Sequence, residues 1–278
     1  MLKILLAAAL LTSAMPASAD DHPAAAIEAA ERAFAADGLA LGVRDSFLKH
    51  MADDAIMFRP GPVSAKALYE QRPSSKTPRL EWWPQRVVIA RSGDLGLSVG
   101  PWAIDGQRGG YYATIWRKGA GGDWKWIYAG GAAADAKAAP SPETPASQGS
   151  VASEGAKSPP VAIEEVRRLE ARLAEKAIDN APAAYRTFLS MDAWMLGPNG
   201  TEDLTPADID GRLSKYPPRM AMKMIGGGSS TAGDFVWAYG EAGWVGDSET
   251  PIDTHYMHVW QKRADGWRLI FETLNNDA

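Results

Sequence analysis

The side chain best suited to acid–base chemistry is His258, which lies in a predicted strand. Imidazole titrates near neutral pH, so a histidine that faces a pocket can act as a general acid or base. Alternation along the strand places His258 on one face with Tyr256 and Trp260. His255 points the other way and cannot share a ligand with it. His258 is therefore the candidate catalytic residue, and the alternative interpretation is a hydrogen-bonded histidine in the core.

A second candidate site consists of aromatic side chains and one arginine. The chain contains 11 tryptophans; most of them belong in the core, and a minority is suited to lining a pocket for a flat or hydrophobic ligand. Arg59 can pair with an anionic ligand, or it is a surface arginine beside a turn. Glu241 and Glu272 are lone carboxylates on predicted strands. The candidate pocket residues are Arg59, Tyr112, Thr114, Trp116, Trp237, Tyr256, His258 and Trp260.

The composition excludes several kinds of chemistry. The chain has no cysteine, which removes disulfides, thiol nucleophiles, iron–sulfur clusters and cysteine-bound zinc. The spacing of its 4 histidines does not suit zinc. We therefore predict no metal and no cofactor. A net charge of -5 without a basic cluster argues against a nucleic-acid partner.

The chain contains an internal duplication. Four blocks recur in the same order with slowly drifting offsets of 138, 140, 144 and 143 residues. The matching pairs are 54–60 with 192–198, 93–100 with 233–240, 112–118 with 256–262, and 124–128 with 267–271. Each half is large enough to form an independent core.

Each half begins with helices and continues into strands. Apolar spacing predicts helices at 24–37, 42–51 and 64–71, and again at 161–179, 182–190 and 206–214. In the helix at 161–179, Glu170 is assigned mostly outside the apolar stripe. Strands follow at 82–91, 95–104, 110–118 and 124–129 in the first half. Helices followed by an antiparallel meander predict an α+β fold.

Two segments lie outside these units. Residues 1–19 have a positive start, an apolar run and a small-residue cleavage site, which predicts a signal peptide and a periplasmic or secreted protein. No later segment is predicted to span a membrane. Residues 132–160 are dominated by Ala, Pro, Ser and Gly, which predicts a disordered linker. The predicted domains are therefore 24–131 and 161–278.

The element order and the phrases F-x-P-G-P, G-D-L-G and W-R-K…G-D-W-K-W resemble the SnoaL-like branch of the nuclear transport factor 2-like superfamily. That superfamily includes ketosteroid isomerase and polyketide cyclases. The resemblance covers 30–131 and, more weakly, 165–275. It implies two tandem cone-shaped domains, each a curved antiparallel sheet wrapped around N-terminal helices with an apolar pocket at its open end. The Ala-rich signal sequence at 1–19 is typical of bacteria, so the chain is expected to be an exported bacterial member of that superfamily.

The isomerase residues implied by this resemblance are absent. The carboxylate base before a proline is replaced by Arg59 and by Gly197, and neither can abstract a carbon-bound proton. We therefore expect a protein that binds a small, mostly apolar molecule. One alternative is an isomerase, cyclase or hydratase that uses His258 or an unidentified carboxylate. The other is an interaction module, in which the two halves form an intrachain pseudo-dimer or the chain forms a homodimer.

Overall fold

The computed structural model describes residues 23–198, 208–246 and 249–275. The predicted signal peptide, residues 1–19, lies outside the described residues. Within the described ranges, every helix is too short or too polar to cross a membrane.

From residue 23 onward, the first half contains three helices and seven strands. They are α1 Ala25–Leu41, α2 Val43–His50, β1 Met51–Phe58, β2 Pro62–Ser64, α3 Ala65–Glu70, β3 Leu80–Trp82, β4 Arg86–Ile89, β5 Leu95–Ile104, β6 Gln107–Lys118 and β7 Trp124–Ala133. The predicted strand at 82–91 is two strands in the structure. Pro84 lies between them and lacks the N–H that would continue the ladder.

The described residues of the second half also begin with helical structure and end in a run of long strands. After a two-residue strand it contains one long helix, a short helix and five strands: β8 Ser147–Gln148, α4 Pro159–Phe188, β9 Leu189–Met195, α5 Ile209–Leu213, β10 Ala221–Ser229, β11 Phe235–Val245, β12 Pro251–Arg263 and β13 Gly266–Asn275. The helices predicted at 161–179 and 182–190 are the two parts of α4, which bends at Asn180, two residues before Pro182.

The strands form two mixed sheets, so the prediction of purely antiparallel sheets was wrong. The first sheet has the order β2-β1-β7-β6-β5-β4-β8, with β3 also paired to β5, and the second has the order β10-β11-β12-β13-β9. In both halves the strand after the first helices runs parallel to the last strand: β1 beside β7 and β9 beside β13. Side chains alternate in the same way in parallel and antiparallel pairs, so the sequence pattern does not distinguish them.

The two sheets pack face to face, and the helices cover their outer faces. Tyr128 lies 6.2 Å from Trp237 between ring centroids, and Phe58 lies 6.0 Å from Tyr239. The apolar cluster between the sheets combines residues of both halves. α1 packs on the far face of the first sheet and α4 on the far face of the second. The result is four layers in the order helix, sheet, sheet, helix.

The segment 132–160 differs from the disordered linker expected from its composition. Its first two residues belong to β7, and β8 pairs in parallel with β4. Arg108 donates to the carbonyl of Lys137 at 3.0 Å, and Arg32 donates to those of Pro142 and Thr144 at 2.8 and 2.9 Å. Composition reflects only which side chains are available for burial. These contacts use backbone carbonyls, which every residue provides.

Candidate functional site

A cavity of about 320 Å³ lies between the helices and the helix-covered face of the first sheet. Its walls are mainly apolar and aromatic, with Phe34, Phe47, Trp82 and Tyr112 among them. Phe34 comes from α1 and Phe47 from α2, whereas Trp82 and Tyr112 come from strands. This volume is at the lower end of the range typical of small-molecule sites, roughly 300–1,000 Å³.

The far wall of the cavity consists of small residues at the end of β7. Residues 129–133 read Ala-Gly-Gly-Ala-Ala, and all five line the cavity. A Cβ on Gly131 would lie 2.6 Å from the carbonyl oxygen of Tyr111, so the close approach of β6 requires glycine there. The strand was predicted to end at 129 and a linker to begin at 132, whereas β7 continues to Ala133. The small residues that leave this space open were therefore not predicted.

The predicted pocket residues of the first half lie around this cavity. Arg59, Tyr112 and Thr114 line it. Trp116 lies one layer deeper, where it is wholly buried and its indole Nε1 donates to Glu31 at 2.8 Å. Tyr112, Thr114 and Trp116 share one face of β6, as predicted from strand alternation.

Glu31 is a buried carboxylate behind the cavity. It accepts hydrogen bonds from the indoles of Trp82 and Trp116 at 2.7 and 2.8 Å. Burial raises the pKa of Glu31 from 4.5 to about 7, although hydrogen bonds from Trp116, Trp82, Ser98 and Thr114 act in the opposite direction. Trp82, which lines the cavity, is therefore hydrogen-bonded to a carboxyl group that changes its charge near neutral pH.

The predicted residues of the second half surround a matching carboxylate, Glu170 on α4. His258 Nδ1 lies 2.8 Å from Oε1 of Glu170. Trp260 donates to the same oxygen at 2.6 Å, and the Tyr256 hydroxyl donates to Oε2 at 2.9 Å. The second nitrogen of His258, Nε2, lies 3.1 Å from the hydroxyl of Tyr185. All five side chains are buried.

This arrangement occupies both ring nitrogens of His258. Oε1 of Glu170 lies within hydrogen-bonding distance of Nδ1, and the hydroxyl of Tyr185 lies within that distance of Nε2. A wholly buried imidazole with both nitrogens bonded to protein groups has none left for a substrate. The contacts therefore favour a hydrogen-bonded core histidine.

Glu31 and Glu170 lie at matching positions on the buried faces of their helices. The buried residues of α1 include Ile27, Glu31, Phe34 and Gly38, and those of α4 include Val166, Glu170, Leu173 and Ala177 at the same spacing. Placing Glu170 outside the apolar stripe was therefore wrong. The spacing of the apolar residues already placed each glutamate on the buried face of its helix. There Glu31 accepts from Trp116 on β6, and Glu170 accepts from Trp260 on β12.

Two further residues singled out in the sequence are Trp237 and Glu272. Trp237 is on β11, in the apolar layer between the sheets, where it contacts Tyr128 and Tyr239 rather than a helix-side pocket. Glu272 is buried on β13 beside His258 and accepts from the hydroxyl of Tyr216. Burial raises the pKa of Glu272. Among the described residues, no three His, Asp or Glu side chains are grouped as metal ligands.

Comparisons with known proteins give low-similarity matches to one half of the chain. No family model matches the sequence, and no curated protein is similar enough to align with it. Among solved structures, a nuclear transport factor 2-like protein of unknown function from Pseudomonas putida is 14% identical, with a TM-score of 0.33 over 42% of this chain and 88% of that one. A nuclear transport factor 2-like superfamily protein from Salmonella enterica is 12% identical, with a TM-score of 0.35 over 42% of this chain and 92% of its own length.

A ketosteroid isomerase-like protein from Erwinia carotovora is 14% identical, with a TM-score of 0.35 over 41% of this chain and 95% of its own. At these identities and TM-scores, the matches assign neither a family nor a function to this chain. Its own helices and strands define the class: an α+β protein of two mixed sheets, with an aromatic cavity under the helices of the first half.

Proposed function

We propose that this protein binds a small, mostly apolar molecule in the cavity of its first half. The observation that carries the proposal is the cavity itself: about 320 Å³, walled by aromatic side chains and kept open by the small residues at 129–133. Burying a flat apolar molecule against such walls removes apolar surface from water on both partners. Two tryptophans that line the cavity, Trp82 and Trp102, provide an intrinsic reporter of binding.

The test is fluorescence titration of the full chain with neutral aromatic molecules of one to three rings, with 2-naphthamide as the reference probe. We expect saturable quenching of tryptophan fluorescence. The variant Ala129→Leu places three extra carbons in the cavity wall and is expected to weaken binding at least about tenfold. Ala221→Leu makes the same change at an exposed position in the second half and is expected to leave binding unchanged. Absence of saturable binding to the folded protein, or equal binding by both variants, contradicts the proposal.

The enzyme alternative rests on the paired His258 and Glu170. Both are buried; their hydrogen-bond partners include each other, Tyr185, Tyr256 and Trp260, and Glu272 lies beside His258 on the neighbouring strand. We therefore assign this group to the stability of the second half. Turnover of a substrate by the wild-type protein that is lost in a folded His258→Gln variant would restore the catalytic interpretation.

We also propose that the protein is exported, and the support for this is the signal-peptide pattern of residues 1–19. Expression in a Gram-negative host, followed by cell fractionation and N-terminal sequencing, tests this. We expect the mature protein in the periplasm with Asp20 as its first residue. Retention of residues 1–19 on a cytoplasmic protein contradicts it.

A further inference from the structure

We propose that the ligand carries a negatively charged group, in the simplest case a carboxylate, held at the cavity mouth by Arg59 and Arg72. The inference rests on the proposed function, since it concerns the same cavity. It adds the chemical class of the ligand: a flat apolar body with an acidic end. Arg59 follows directly after β1, and Arg72 lies two residues past the end of α3. Both line the cavity and both are exposed.

The two guanidinium groups lie near the same side chain, Tyr69. The guanidinium carbon of Arg72 is 5.0 Å from the centroid of the Tyr69 ring. Burial raises the pKa of Tyr69 to about 12, and the charges of Arg72 and then Arg59 act against that rise. Two positive charges are therefore concentrated at one end of an otherwise apolar cavity.

Neither arginine is neutralised by a carboxylate of the described residues. The side-chain hydrogen bond of Arg59 goes to the carbonyl of its neighbour Phe58 at 3.3 Å. Several other cations of the same half are paired: Lys66 lies 2.7 Å from Asp53, Arg117 lies 2.6 Å from Asp54, and Arg79 lies 3.7 Å from Glu81. Arg59 and Arg72 instead bring two positive charges, neither with a carboxylate partner among the described residues, to the mouth of one cavity.

A carboxylate fits this end of the cavity for geometric and electrostatic reasons. A guanidinium presents parallel N–H donors that match the two oxygens of a carboxylate, and it keeps its charge at all physiological pH values. Because Arg59 and Arg72 are exposed at the mouth, the acidic group can stay partly hydrated while the apolar body lies against Trp82 and Phe34. An ammonium at the same end would be repelled by both side chains.

The test compares two probes of the same shape, 2-naphthoate and the neutral 2-naphthamide, by isothermal titration calorimetry at low salt. We expect 2-naphthoate to bind the wild-type protein about tenfold more tightly, as for one charge-assisted hydrogen-bonded pair. Arg59→Gln and Arg72→Gln are each expected to remove most of this preference without changing the affinity for 2-naphthamide. Arg219→Gln makes the same charge change at an exposed position of the second half and is expected to keep it.

The outcomes separate the two proposals. Equal affinity for the two probes, or a preference that survives both arginine substitutions, overturns the anionic ligand and leaves the apolar cavity site in place. Binding of neither probe to the folded protein counts against the proposed function itself. A preference for 2-naphthoate that is lost equally in Arg219→Gln identifies a general charge effect and also overturns the inference.

Discussion

The substitution Glu31→Gln gives the sharpest test of the reasoning about the buried carboxyl behind the cavity. Glutamine resembles the neutral acid in shape but cannot ionise. In the wild-type protein, burial raises the pKa of Glu31 from 4.5 to about 7. Between pH 4.5 and about 7, the folded protein therefore keeps a proton on Glu31 that the unfolded chain has already released.

The magnitude follows from the two pKa values. A change of one in pKa corresponds to about 1.4 kcal/mol, so a rise from 4.5 to about 7 corresponds to about 3 kcal/mol of unfolding free energy. Because the folded pKa is the higher one, the contribution is fully present below 4.5 and is lost as the pH rises through about 7. Between pH 5 and pH 8 the expected loss is about 2.5 kcal/mol.

The assay is urea denaturation of wild type and Glu31→Gln at pH 5 and pH 8. At either pH the amide leaves one of the two indole N–H groups without its acceptor, and this penalty of about 1–3 kcal/mol is independent of pH. The wild-type advantage over the variant is expected to shrink by about 2.5 kcal/mol from pH 5 to pH 8. Titration of all other groups cancels in this difference.

The control is Glu175→Gln on an exposed position of α4, which makes the same charge change without altering a buried group. Its stability relative to wild type is expected to stay constant between the two pH values to within about 0.5 kcal/mol. A wild-type advantage over Glu31→Gln that is constant or grows with pH would show that burial does not raise the pKa of Glu31 in the folded protein.

Three further predictions concern other parts of the molecule. Glu170→Ala removes the acceptor of three buried donors and is expected to lower the unfolding free energy by more than about 3 kcal/mol in urea denaturation, against less than about 0.5 kcal/mol for the exposed Glu175→Ala; equal effects would contradict the buried network. Arg108→Ala removes four donations to the carbonyls of residues 136–140 and is expected to accelerate proteolysis between 134 and 146, with wild-type cleavage rates as the contrary result. Trp237→Ala is expected to lower the unfolding free energy by about 3–5 kcal/mol in urea denaturation without weakening 2-naphthamide binding, because the side chain lies between the sheets. Weakened binding without lost stability would indicate that Trp237 lines the cavity.

Much of the fold was predictable because it depends on local periodicity. The helices, most strand positions and the matching order of the two halves follow from apolar spacing and from the repeated blocks. Alternation on β6 and β12 correctly grouped Tyr112 with Thr114 and Tyr256 with His258, since neighbours two residues apart share a strand face whatever the strand pairs with.

The carboxylates at the centre of each half were missed for a different reason. A glutamate on a helix is ordinarily solvated, so Glu170 was assigned to the outer face, although its spacing from Val166 and Leu173 matches the buried stripe. What makes its burial tolerable is the set of donors on β12, which is remote in sequence. Glu31 was overlooked in the same way, because its indole partners lie 51 and 85 residues away.

Local sequence patterns predicted the order of helices and strands and the strand faces that carry aromatic and polar side chains. How these elements pack against one another could be seen only in the folded chain. The parallel pairing of β1 with β7, the packing of one sheet on the other and the cavity beside the small residues of β7 all depend on contacts between distant segments. Local propensity acts within a few residues, whereas strand partners, buried donors and empty space depend on which distant surfaces come together.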